Sequence, residues 1–309
     1  MPLDPRVKRF LDALATGRPR NNPDSTVQER RRGLSELLKL SGPELAVDRT
    51  EDRALPGCGS PLPVRIYTPP DGAETLPGLI YFHGGGLVAG NVATHDWFGR
   101  ALAHHGGCRV VSVDYRLAPE HPFPAALDDA MSAVTYIGAH AADFGIDAAR
   151  LGVCGDSAGG ALAAATCQAL VRGGTPRLAL QMLICPILDY SNSTASRREF
   201  ASGYLLDQAT LDDDMLRYAP GLDLGDPRIS PLCAAEVAGQ PPTFIHTAEF
   251  DPARDEGRDY FERLSRAHTE VSYTCHPGMI HLFYGLGAVI PYARTALELI
   301  GSQIRAAMA

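Results

Sequence analysis

Gly155-Asp156-Ser157-Ala158-Gly159-Gly160 is the stretch on which the reading of this chain turns. A short apolar run, Leu151-Gly152-Val153-Cys154, precedes it and reads as a buried strand. An Ala-rich stretch, Ala161 to Leu170, follows and reads as a helix. Strand, Gly-x-Ser-x-Gly, helix is the context of a nucleophile elbow. A serine on so sharp a turn sits in a strained backbone conformation, where flanking side chains would collide, hence the glycines. Its hydroxyl is exposed, and the helix N-terminus behind it favours developing negative charge.

Working outward, apolar runs alternate with helical patterns. Ala46 to Leu55 and Pro63 to Tyr67 read as early strands. Leu79 to Phe82, Arg109 to Asp114, Leu151 to Gly155 and Leu178 to Cys185 read as buried strands, and Thr243 to Ala248 and Val271 to His276 complete a set of about eight. Helical patterns cover Trp97 to His105, Ala125 to His140, Ala158 to Arg172, Asp255 to Ala267 and Pro291 to Ala307. This alternation implies an α/β fold with a mostly parallel sheet covered on both faces. Functional groups then gather in loops at the carboxyl ends of the strands. Two segments stand outside the alternation. Residues 1–45 are polar and helical in pattern, with Arg30-Arg31-Arg32 expected on a solvated face. Residues 189–226 are too long for an ordinary loop and read as a cap insertion that packs with the N-terminal segment. The catalytic domain would then be residues 46–188 and 227–309.

A serine becomes an acyl-transfer catalyst only with a base and an oxyanion hole. In this type of fold an acid and then a histidine follow the serine. Glu249, Asp251 and Asp255 compete for the acid. Asp251 is favoured, just past a strand end and held by Pro252, whereas Asp255 and Glu256 suit the first turn of a helix. Of ten histidines, His276 ends the last strand and His281 lies in the loop beyond it. His281 is the favoured base. His83-Gly84-Gly85-Gly86 follows another strand, where glycines let backbone N–H groups approach a substrate. Gly84, Gly85 and Ala158 are the expected oxyanion donors, with His83 as a loop brace. Gly84-x-Gly86-x-x-Ala89 also matches a dinucleotide fingerprint, but Gly90 and Asn91 delay the helix that would meet a phosphate.

The composition excludes several classes. A formal charge of −8 argues against nucleic acid as a partner. No stretch approaches a membrane span. The seven cysteines form no C-x-x-C pair, and Cys154 and Cys185 read as small core residues, so a reducing, cytoplasmic location is expected. No spacing calls for a metal, and no cofactor is needed.

Taken together, the pieces closely resemble the bacterial hormone-sensitive-lipase-like carboxylesterases. The resemblance rests on His83-Gly84-Gly85-Gly86, Asp114-Tyr115-Arg116-Leu117-Ala118-Pro119-Glu120 and the Gly155–Gly160 motif. Asp251-Pro252 with Arg254-Asp255-Glu256-Gly257, and Gly278-Met279-Ile280-His281, complete it in the same order. It implies the α/β-hydrolase fold, an eight-stranded sheet with a small helical cap, and a Ser157–His281–Asp251 triad. It also implies hydrolysis of short- to medium-chain acyl esters without a cofactor. Leu87 stands where many members carry an aromatic residue, which leaves the pocket shape open. Candidate pocket residues are Leu87, Tyr190, Tyr204, Leu205, Leu206, Ile280, Leu282 and Phe283. The same triad would also serve an amidase or a deacetylase, and a non-catalytic ligand-binding protein of this fold is a further alternative. A homodimer could form through a sheet edge or the terminal helix.

Overall fold

The computed structural model describes residues 2–16, 26–70, 73–192 and 194–309. The expected 1–45 and 189–226 segments are therefore described without residues 1, 17–25 and 193. Strands β1 (Arg49–Leu55), β2 (Leu62–Thr68), β3 (Leu76–Phe82), β4 (Arg109–Val113), β5 (Ile146–Asp156), β6 (Leu180–Ile184), β7 (Thr243–Phe250) and β8 (Val271–Ile280) form one sheet. Its order is β1-β2-β4-β3-β5-β6-β7-β8. β1–β2 and β2–β4 are antiparallel, and every pair from β4–β3 onward is parallel.

The strand sequences explain the layering. Leu79, Ile80, Tyr81 and Phe82 of β3 are all fully buried. Alternation sends Ile80 and Phe82 to one apolar cluster and Leu79 and Tyr81 to the other. The first cluster takes in α4 (Ala125–Ala139), α5 (Ala158–Gly173) and α8 (Arg254–Arg266) through Val134, Leu162 and Leu264. The second takes in α1 (Pro5–Ala15), α3 (Asp96–Gly106) and α9 (Tyr292–Ala307) through Phe10, Leu102 and Ile304. Cys154 and Cys185 are fully buried, and all seven cysteines are free thiols. Among the described residues no helix is long and apolar enough to cross a membrane.

Helix α2 (Val27–Leu38) starts with a capping box between Thr26 and Glu29. It does not present its arginine run to solvent as expected. Arg30 reaches Asp214 of α7 (Gln208–Tyr218), Nη2 to Oδ2 3.1 Å. Arg31 donates to the Val88 carbonyl at 2.9 Å and pairs with Glu120 at 2.6 Å. Of the three arginines, Arg32 alone is exposed. Polar character decided the solvated reading, but long arginine side chains carry their charge to partners far away in sequence.

Candidate active site

Ser157 is the residue between β5 and α5, with φ +53° and ψ −122°. That is left-handed backbone at a non-glycine residue, a local cost of roughly 1–3 kcal/mol. The neighbouring glycines have no room for a side chain. A Cβ on Gly155 would stand 2.0 Å from the Gly159 carbonyl oxygen, and one on Gly159 would stand 2.1 Å from that of Phe82. The Ser157 N–H donates to the Ile184 carbonyl of β6 at 2.9 Å.

β7 and β8 deliver the acid and the histidine. Their last paired residues are Phe250 and Ile280, after an irregular step beyond Ala248. Asp251 and His281 are each the next residue, so both leave neighbouring parallel strands side by side. His281 Nδ1 lies 2.8 Å from Asp251 Oδ2, and His281 Nε2 lies 2.9 Å from Ser157 Oγ. With a carboxylate on one side and a hydroxyl on the other, the neutral ring holds its proton on Nδ1 and accepts at Nε2. Asp251 Oδ1 accepts the Ala253 N–H at 2.8 Å. Asp251 is fully buried, and His281 and Ser157 nearly so.

The rival residues are engaged elsewhere. Asp255 accepts from the Ser196 N–H, and Glu249 accepts from the Gly278 N–H. His276 Nε2 is 3.0 Å from His246 Nδ1, and its Nδ1 is 3.1 Å from Tyr292 Oη. Burial pushes His276 down to about 3. Among the described residues, one group brings three metal-capable atoms within 4.8 Å of one another: Cys185, Asp251 and His281. Two of its members are the hydrogen-bonded acid and histidine, and burial raises the Cys185 thiol, holding it protonated.

The glycine loop departs from expectation at one residue. The Gly84 N–H does not point toward a substrate. It donates to Asp156 Oδ1 at 2.9 Å, while the Gly84 carbonyl accepts from His83 Nδ1 at 2.8 Å. Gly84 is thus clamped on both sides and offers no free donor. Among the described residues, the N–H groups of Gly85, Gly86 and Ala158 meet no acceptor. Gly85 and Gly86 have φ +122° and +69°, and a Cβ on Gly86 would stand 1.7 Å from Asp214 Oδ2. Gly86, which the sequence reading did not single out, thus presents an N–H beside that of Gly85, and the run of three glycines was the available signal. His83 is sandwiched between Tyr115 and His95, with centroids 4.3 and 5.1 Å away, and burial lowers it to about 4. A ring held neutral and stacked in this way suits the brace expected of it.

The expected pocket residues do not share one setting. Leu87 has φ +63° and is buried in the cluster that contains Val27 of α2. Leu206 packs with Ile187, Leu211 and Ala253, with Tyr190 against them, while Leu205 joins the other large cluster. Tyr204 stacks on Phe250 beside Asp251, centroids 5.8 Å apart, and Leu282 follows His281 with φ +63°. Ile280 and Phe283 are taken up by the core, Phe283 against His276, Tyr284 and Tyr292.

The family model of the α/β-hydrolase fold matches residues 79–285, well over half of the chain. The chain is 38% identical over 299 residues to the carboxylesterase NlhH of Mycobacterium tuberculosis, covering 95% of this chain and 92% of that one. It is 36% identical over 312 residues to the ethyl acetate hydrolase of Pseudomonas putida, covering 97% and 98%. An ester hydrolase from the metagenome of Lake Arreo, solved with a derivative of bipyridine phosphonate, superposes with a TM-score of 0.94 at 41% identity over 98% of both chains. Fold, motif order and relatives agree: the chain belongs to the hormone-sensitive-lipase-like carboxylesterases of the α/β-hydrolase fold and is a carboxylic ester hydrolase.

Proposed function

We propose that this protein hydrolyses esters of short- to medium-chain acids, with Ser157 as nucleophile, His281 as base and Asp251 as the residue that orients it. The observation that carries this reading is the bridge of His281 between Ser157 Oγ and Asp251 Oδ2, at 2.9 and 2.8 Å. Ser157 Oγ attacks the ester carbonyl as its proton passes to His281 Nε2. Asp251 stabilises the imidazolium that forms. The negative oxygen of the tetrahedral intermediate is met by the N–H groups of Gly85, Gly86 and Ala158. Each such donor contributes roughly 3 kcal/mol to the barrier reduction. His281 then protonates the departing alkoxide, and a water attacks the acyl-enzyme by the same route, regenerating Ser157. The substrate range is supported by the ethyl acetate hydrolase of Pseudomonas putida and the acetyl esterase of Salmonella among the relatives. Residues 1–45 and 189–226 serve as the cap over this site. The Arg30–Asp214 pair, which joins the two segments beside Gly86, supports that assignment.

A p-nitrophenyl ester series from acetate to palmitate, with Ser157→Ala beside the native enzyme, tests the reading. Turnover should be highest on the short and medium esters and vanish in the variant. An organophosphate should label Ser157 stoichiometrically as activity is lost. Labelling of any other serine, or full activity in Ser157→Ala, overturns the assignment.

A further inference from the structure

The geometry assigns Asp156 as the positioning residue of the oxyanion loop, acting through its hydrogen bond to Gly84; this rests on the reading of Ser157 as nucleophile. Asp156 is fully buried and receives only donors. Oδ1 accepts from Tyr81 Oη at 2.5 Å and from the Gly84 N–H at 2.9 Å, and Oδ2 accepts from Tyr284 Oη at 2.9 Å.

These three partners come from three different parts of the site. Tyr81 lies in β3, immediately before the glycine loop. Gly84 opens that loop. Tyr284 lies three residues beyond His281, in the 3₁₀ turn Phe283–Gly285. Asp156 itself is the last residue of β5 and is bonded covalently to Ser157. One carboxylate therefore ties the nucleophile, the oxyanion loop and the histidine loop together. The fit around Gly84 is close, since a Cβ there would lie 2.5 Å from Asp156 Oδ2 and 3.1 Å from Ser157 Cβ. With Gly84 fixed at both its N–H and its carbonyl, the amides of Gly85 and Gly86 are held where they are without bonding to the protein. That is what preorganised donors require, because they must not reorganise as charge develops. Burial raises the Asp156 carboxyl against the pull of its donors. The loop is held by an acceptor, Oδ1, which is a role distinct from carrying negative charge.

Asparagine separates these two roles. In Asp156→Asn, Oδ1 keeps Tyr81 and Gly84, and Nδ2 donates to Tyr284 Oη, which turns to accept it. In Asp156→Ala the anchor is lost. Steady-state kinetics on p-nitrophenyl butyrate should show Asp156→Ala with kcat about 10²-fold lower at unchanged KM, the usual scale for misplaced oxyanion donors. Asp156→Asn should stay within a few-fold of the native enzyme. Native kcat in Asp156→Ala, or an equal loss in Asp156→Asn, overturns the proposal. If thermal melting shows that Asp156→Ala does not fold, Tyr284→Phe takes its place. It should lower kcat about tenfold at unchanged KM while Asp156→Asn remains near native, and a Tyr284→Phe enzyme with native kcat overturns the proposal. Failure of the nucleophile reading looks different: Ser157→Ala turns over ester, or an organophosphate labels another residue of the native enzyme, and the proposal falls with it.

Discussion

Asp251 is a buried carboxylate whose Oδ2 meets the histidine ring and whose Oδ1 accepts the Ala253 N–H. Its oxygen fixes which imidazole nitrogen carries the proton. An amide at this position would turn an N–H toward Nδ1 and favour the opposite tautomer, leaving Nε2 protonated against Ser157. Asp251→Asn should therefore fold normally yet lose about 10⁴ in kcat, checked by steady-state turnover of a p-nitrophenyl ester beside a thermal melt. The serine and histidine that the structure brings within hydrogen-bond distance each carry a local mark in the sequence, the glycine-flanked turn and the loop past the last strand. The acid could only be favoured among three neighbours, since spacing does not say which carboxylate a strand end aims at the histidine. Gly84 was misread for a related reason. Three adjacent glycines look alike in sequence, and only the bond to Asp156 distinguishes the clamped one from the free ones.

At the level of elements, the strands that are buried on both faces were the legible part, because their apolar runs are continuous. Their ends were not. β8 runs on to Ile280 through Pro277 and Gly278, residues that ordinarily stop a strand. The irregular pairing with β7 and the edge position of β8 accommodate them. The contact between α2 and α7 left no trace in the sequence, because Arg30 and Asp214 are distant along the chain and neither belongs to a motif. Burial pushes Asp214 up to about 6, the pull of Arg30 only partly opposing it, with Asp213 adding to the rise and Arg217 to the fall. Between about pH 4 and about 6 the folded protein thus binds this proton more tightly than the unfolded chain does. The stability linked to this group falls as pH rises through that window, and the cost is complete above it. Asp214→Asn should remove the dependence. Its melting temperature, relative to the native protein, should rise from pH 4 to pH 7 in differential scanning calorimetry, and a constant difference would count against the assignment.

On the scale of the whole molecule, the segment 189–226 is fastened to the sheet by a buried ion pair. Arg197 of α6 (Ala195–Glu199) donates to Glu256 of α8 at 2.6 Å, both side chains at most 2% exposed. The other oxygen of Glu256 accepts the N–H groups of Leu188 and Asp189. Arg197→Leu would leave that carboxylate buried without a cation, at a cost of about 3–5 kcal/mol, visible as a lower urea midpoint. The hydrogen bond from the Asp4 N–H to the Gly278 carbonyl ties the start of α1 to β8, three residues before His281. This has a consequence for biosynthesis. The first helices emerge from the ribosome long before the strands they rest on exist, and they must wait for them. Ser157 likewise emerges well ahead of His281, so a nascent chain lacks the hydrogen bond between them until β8 has been made.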